Sequence, residues 1–168
     1  MSERSPAPGG LALVESLVNT LDIESGADSL DTADGRARFG LQEDDVPRAR
    51  ELRESLRATL LAHAGHLPHR PVTPLGELLA SAPLHVTVDA ADGSAALVPA
   101  DVRPLISRVA AAVAEALVAG TWTRLKACEA ETCHWAYYDR SPAGRGRWCS
   151  MQVCGARAKM RRYRAKEP

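Results

Sequence analysis

Apolar side chains at Leu11, Val14, Leu17, Val18 and Leu21 recur three and four residues apart, which predicts a short amphipathic helix ending near Asp22. Before it, residues 1–10 are rich in Ser, Pro and Gly without an apolar period, and read as a disordered tail. From 24 to 42 Asp, Gly and Ser interrupt any period, predicting a loop with a short extended piece over 37–41. A second helix follows, with Asp44 or Asp45 as cap, Pro47 in its first turn, and Ala49, Leu52, Leu56 and Leu60 on one face. Gly65 and Pro68 end it, and a shorter helix is expected over 75–82. Leu84, Val86 and Val88 then alternate with His85, Thr87 and Asp89. Asp92-Gly93 supplies a turn and 95–98 returns, which predicts one β-hairpin. In the next helix Asp101 is the expected cap, Leu105, Val109, Val113 and Leu117 share a face, and Gly120 closes the element.

Beyond residue 120 the pattern changes. Trp122 to Tyr163 holds six of the seven aromatic residues, and all four cysteines lie between 128 and 154. The charge changes as well. The chain carries 21 Lys and Arg against 21 Asp and Glu, but residues 1–120 hold 10 against 17, a net of −7, and residues 121–168 hold 11 against 4, a net of +7. Opposite charge on two parts of a chain suggests separate work, and a basic C-terminal piece raises nucleic acid as a partner. The fold class expected is α+β, mainly α: an α-rich N-terminal domain over 11–120 with one small hairpin, then a separate C-terminal piece over 121–168. The longest apolar run, 109–119, is broken by Glu115 and too short to span a bilayer, and residues 1–10 are too polar for a secretory signal. A cytoplasmic location is therefore expected.

The cysteines form two pairs, Cys128-x4-Cys133 and Cys149-x4-Cys154, separated by fifteen residues. Four thiolates satisfy one tetrahedral Zn²⁺, and a piece this short has too little apolar surface to fold by burial alone. Two disulfides or free core thiols are the alternatives. Both fit poorly with a chain that lacks a secretory signal and has no Cys in residues 1–127. Such a zinc is structural, since no coordination position is left for water or substrate. The aromatic run from His134 to Asp139 reads as a strand, 141–144 as a turn, and 145–148 as a returning strand, giving a hairpin between the pairs. Val153, Ala156, Met160 and Tyr163 recur at helical spacing, so the second pair sits at a helix N-terminus, where the dipole favours thiolates. Knuckle, hairpin and ligand-bearing helix together describe a treble-clef-like finger.

If those four apolar residues face the core of the finger, Arg157, Arg161 and Arg164 run down one flank of the helix and Lys159, Arg162 and Lys166 down the other. That surface suits phosphates, with Arg also able to reach guanine, and Arg145 and Arg147 on the hairpin could grip the neighbouring backbone. The alternative is a solvated helix, or one docked on the acidic domain. Trp135, Tyr137, Tyr138 and Trp148 could stack on unpaired bases, but a finger this small needs them first for its core.

Three weaker signals have plain explanations. His63, His66 and His69 invite a metal, but Gly65 and Pro68 break the helical geometry, and His134 competes with four cysteines. The acidic positions Asp28, Asp31, Asp34 and 43–45 read as a solvated loop and helix-start charges rather than paired catalytic carboxylates. No GxSxG, Walker-type loop or HExxH occurs, so no enzyme is expected.

The string Trp148-Cys149-Ser150-Met151-x-x-Cys154-Gly155-x-Arg157, preceded by Cys128, Cys133-x-Trp135 and Asp139-x-Ser141, resembles the CGNR zinc-finger family. In that family the finger follows an N-terminal domain called ABATE, described as a stress-induced transcription regulator, and the start of this chain from Leu11 to Thr20 is similar to the start of that domain. The resemblance implies a transcription regulator, and together with the basic C-terminal piece and the excess of Arg over Lys it leads to the expectation of a bacterial protein that binds double-stranded DNA through the finger, while the N-terminal domain senses a small-molecule ligand or assembles a homodimer. Two positions depart from the family. Ala156 stands where the naming tetrad has Asn, and 142–147 reads Pro-Ala-Gly-Arg-Gly-Arg, with fewer donors than the family's loop. A zinc-stabilised protein-interaction module without DNA binding is the rival reading.

Overall fold

The computed structural model describes residues 5–165. Its first helix, α1 (Leu11–Val18), buries Leu11, Val14, Leu17 and Val18, the face that the spacing predicts. The chain ahead of it is not loose from residue 5 onward. Ala7 is buried in the main core and donates its amide to Glu15 Oε2 at 2.7 Å, and Arg140 donates to the carbonyls of Ser5 and Pro6. The tail expected over 1–10 is therefore corrected for 5–10, while residues 1–4 lie outside the described part.

The expected loop over 24–42 contains a 3₁₀ turn (Ser29–Asp31) and a one-turn helix, α2 (Ala33–Ala37), in place of the extended piece. Two side-chain caps compete successfully with extension here: Asp28 accepts from the Leu30 amide and Thr32 from the Gly35 amide. Gly35 is required, because a Cβ there would fall 1.8 Å from the Ser29 carbonyl oxygen.

The longest helix, α3 (Val46–His63), carries Pro in its first turn and stops at Gly65, whose φ of 83° lets the His66 amide turn back to Leu61 O. Asp45 occupies the N-cap position, as expected, but makes no side-chain cap bond to the helix. Its carboxylate accepts instead from the Gln42 amide, closing the 3₁₀ turn that leads into the helix. Beyond the expected Ala49, Leu52, Leu56 and Leu60, α3 also buries Arg53, Glu54, Ser55 and Arg57, so it is covered nearly all round. A short α4 (Leu75–Leu79) precedes the hairpin β1 (Leu84–Val88) and β2 (Ala95–Pro99), antiparallel with Val86 opposite Leu97. α5 (Leu105–Val118) starts at Pro104 rather than being capped by Asp101, whose carboxylate is held by Arg103. Leu105, Val109 and Val113 are buried in α5, whereas Leu117 faces solvent and Ala112 and Ala116 fill the space nearer the core.

The C-terminal piece adds β3 (Leu125–Ala127), β4 (Ala136–Tyr138) and α6 (Ala156–Arg164), the last entered through a π-helical turn at Met151–Gly155. β4 pairs antiparallel with β3, ahead of the first cysteine, and not with 145–148, which forms no strand. The hairpin thus encloses the first knuckle instead of separating the two pairs. A larger difference concerns independence. Trp122, Leu125, Ala127 and Ala136 belong to the same buried cluster as α1, α3 and α5, so the hairpin of the finger is part of the main core. Asn19 completes the joint, donating to Ala136 O and accepting from its amide, at 3.0 and 2.7 Å.

Candidate metal centre and basic helix

The first knuckle grows from the β3–β4 hairpin. The Cys128 amide donates to Trp135 O as the last rung of the ladder, and the Cys133 and His134 amides both turn back to Ala130 O. His134 takes a left-handed φ of 47°, and its Nδ1 lies 2.9 Å from the Cys128 carbonyl oxygen. This histidine shapes the knuckle and is no ligand. The second pair comes from the entrance to α6, where Ser150 caps the π turn by accepting from the Val153 amide. Trp148 and Met151 close over Gly155, where an added Cβ would lie 3.3 and 3.1 Å from their nearest atoms.

These elements bring the Sγ atoms of Cys128, Cys133, Cys149 and Cys154 within 4.8 Å of one another, the one such cluster among the described residues. Cys133 and Cys149 are 3.5 Å apart, and Cys149 and Cys154 are 3.7 Å apart. A tetrahedral Zn²⁺ with Zn–S bonds of about 2.3 Å requires S···S separations of about 3.8 Å, so the donor set fits. Its proton chemistry agrees. Hydrogen bonds from Cys133 and then Cys149 pull the Cys128 thiol down to about 2, while bonding to Cys128 pushes Cys133 up to about 12 and Cys149 higher still. A divalent cation is what allows all four thiols to ionise together. The cluster holds one structural zinc.

The three histidines from 63 to 69 have other partners, His66 among them, with its Nε2 3.8 Å from Glu129. His63 Nδ1 lies 2.8 Å from Leu125 O with its ring edge-on to Trp122, and His69 Nε2 lies 2.9 Å from Glu54. The acidic stretch is partly structural rather than wholly solvated: Asp28 receives Arg50 and Arg53 at 3.1 and 2.7 Å, pinning the loop to α3. Sequence reasoning missed the centre of this network. Arg57, fully buried, donates at 2.8 Å to both Val18 O and His134 O and pairs with Glu54 at 3.2 Å. One guanidinium therefore ties the end of α1 and the zinc knuckle to α3. A second buried pair, Lys126 with Asp139 at 3.1 Å, organises the loop over 139–147, where Asp139 also accepts from the Ser141 and Gly146 amides. Although burial opposes its charge, those hydrogen bonds, from Ser141 first, hold the Asp139 carboxyl well below the usual carboxylate range.

The basic residues are placed as follows. Arg157, Lys159, Arg161, Arg162 and Arg164 are all exposed on α6, and Lys166 lies outside the described residues. Arg157 pairs with Glu24 of the N-terminal part at 2.9 Å. Arg145 is exposed, while Arg147 is engaged by both carboxylate oxygens of Glu129 and lies 5.2 Å from the centre of the Trp148 ring. The expected burial of the apolar face of the helix is corrected. Val153, Met160 and Tyr163 are 47, 52 and 62% exposed, Ala156 is exposed too, and only Ala158 of α6 is buried. The helix has too little finger beneath it, because the core of the finger is the cysteine cluster with Ala130 and Trp148. Of the other aromatic residues, Tyr137 is buried, Trp135 is half-buried, and Tyr138 carries the Arg140 guanidinium 5.2 Å from its ring centre.

The CGNR zinc finger model matches residues 124–167, and the ABATE family model, described as "Putative stress-induced transcription regulator", matches residues 11–120. No curated protein matches the chain. The four clustered thiolates sit within the first match, and the second covers well over half of the sequence. The chain therefore belongs to the ABATE family and carries a CGNR zinc finger built around one structural zinc ion.

Proposed function

We propose that this protein is a cytoplasmic, non-catalytic transcription regulator that binds double-stranded DNA through α6. The observation that carries the reading is the helix itself: every charged side chain described over 151–165 is cationic and exposed, and α6 is held to the body through the zinc cluster at its entrance. Cations on a rigid helix neutralise phosphates without having to be ordered first. Arg145, on the loop that Asp139 braces, supplies a further contact. A non-catalytic role agrees with four thiolate ligands, which leave no open metal position.

We further propose that the N-terminal domain senses a small molecule, a reading supported by an open apolar groove of about 730 Å³ between the β1–β2 hairpin and α5. Leu13, Val86, Leu97, Ala111, Ala112 and Val118 line it, and its volume suits a small molecule. The second reading, an interaction module without DNA, is favoured by one contact, the pair between Arg157 and Glu24, which docks the basic helix against the acidic part of the chain.

Titration of mixed-sequence duplex DNA with the full zinc-loaded chain at several salt concentrations decides between the two. The DNA reading expects log affinity to fall against log salt with a slope of about −0.9 per phosphate neutralised, and Arg161→Glu with Arg164→Glu to reduce both affinity and slope. A flat salt response, or charge reversal without effect, overturns it.

A further inference from the structure

The exposed apolar side of α6 is the feature that phosphate binding leaves unused. Val153, Ala156 and Met160 line a shallow trough of about 490 Å³ on the outer side of the helix, edged by Arg157, Arg161 and Arg164. Val153 and Met160 are about half exposed although nothing in the fold requires them to face water. An apolar stripe with cations beside it calls for a partner that is apolar at the centre and anionic at the rim. The major groove of duplex DNA has this layout: thymine methyl groups project from its floor, phosphates border it, and it is wide enough to admit an α-helix. Ala156 presents only a methyl group, and Val153 and Met160 present no hydrogen-bonding group except the weakly accepting thioether. The apolar floor of the trough therefore offers methyl contact alone, while Gln152 at its end and the arginines at its edge carry the hydrogen-bonding groups that can reach adenine or guanine.

We propose that α6 and the π-helical turn leading into it read pyrimidine 5-methyl groups, so that the preferred duplexes are those placing thymines against Val153, Ala156 and Met160. The proposal rests on the DNA reading above and adds to it the chemistry of base selection. Each methyl group taken out of water on binding is worth about fourfold in affinity, so a trough covering one or two of them gives roughly a four- to fifteen-fold preference.

The test compares four duplexes of equal length with the full zinc-loaded chain, by fluorescence anisotropy at fixed low salt: alternating adenine-thymine, the same with deoxyuridine for thymidine, alternating guanine-cytosine, and the same with 5-methylcytosine. In each pair the Watson–Crick pattern is unchanged and one methyl group per pyrimidine is added or removed. The expected result is tighter binding to the methylated member of both pairs. Met160→Ala and Val153→Ala should remove most of the preference within both pairs, with zinc content and melting temperature read alongside to confirm that the fold is kept. Equal binding within both pairs overturns methyl reading and leaves the DNA reading intact. So does a preference that survives in both variants. No binding to any duplex at low salt overturns the DNA reading itself.

Discussion

At the residue scale, buried ion pairs set the joints of this molecule, and each can be assigned a cost. Arg57 pairs with Glu54 and donates to two carbonyls, while burial first, and then the neighbouring Arg53 and Arg70, oppose its charge. Asp139 is the better probe because it stands apart from the zinc ligands yet anchors the loop that carries Arg145 and Arg147. Its carboxyl is held below its ordinary value, so its contribution to stability is complete above about pH 4 and is lost as pH falls through the lower, folded value. Asp139→Asn leaves Lys126 buried without its counter-charge, which should cost about 3–5 kcal/mol near neutral pH. The same substitution should flatten the acid limb of a plot of urea midpoint against pH. A variant with an unchanged acid limb would show that other carboxylates dominate. Asp28 and Glu54 are lowered in the same sense, in each case because guanidinium contacts outweigh the burial that opposes their charge.

At the element scale, the two hairpins illustrate how one local pattern is put to two uses. β1–β2 follows from alternation and an Asp-Gly turn, and the structure leaves Val86 and Val88 largely open to solvent beside the apolar groove. β3–β4 is only three residues long on each side, too short to persist alone, and is held by α1 and α3 packed against it. α6 takes its position from the zinc cluster behind it and from one surface pair, Arg157 with Glu24. Both partners are more than half exposed, so that pair contributes little to stability. Glu24 does compete with a phosphate for the same guanidinium. Glu24→Gln should therefore leave thermal stability nearly unchanged and raise duplex affinity up to about fivefold at low salt, the limit set by an exposed pair worth at most about 1 kcal/mol. Weaker binding in this variant would mean that Glu24 orients the helix for DNA rather than screening it.

At the scale of the whole molecule, the shared core makes metal and fold a single problem. Because Trp122, Leu125, Ala127 and Ala136 pack among α1, α3 and α5, losing the knuckle loosens the helical part as well. Chelating zinc, or Cys149→Ser, should lower the melting temperature of the entire chain in one cooperative transition, with far-UV and tryptophan signals moving together. Two separated transitions, with the helical part melting at its original temperature, would mean that the finger is thermodynamically independent after all.

Much of this architecture was legible in the residues. α1, α3, the β1–β2 hairpin and α5 follow from apolar spacing and turn chemistry, and the four zinc ligands follow from two Cys pairs in a small basic segment, because thiolate coordination depends on residue type and short-range spacing. The resemblance carried by the second Cys pair and its surroundings was confirmed over both parts of the chain. Other features required the tertiary structure, since they depend on what lies opposite. Periodicity marked Val153, Met160 and Tyr163 as a core face, but the finger offers nothing to cover them. Nothing in the local sequence singles out Arg53, Glu54 and Arg57, and it is the loop at Asp28, the end of α1 and the knuckle that close over them. The division of charge at residue 120 was read as a division of structure, yet the chain crosses it to place β3 and β4 in the common core. A sequence by itself determines local periodicity and the chemistry of its ligands. Burial is a relation between distant segments, and here only the folded chain decided which faces were covered and which were left free for a partner.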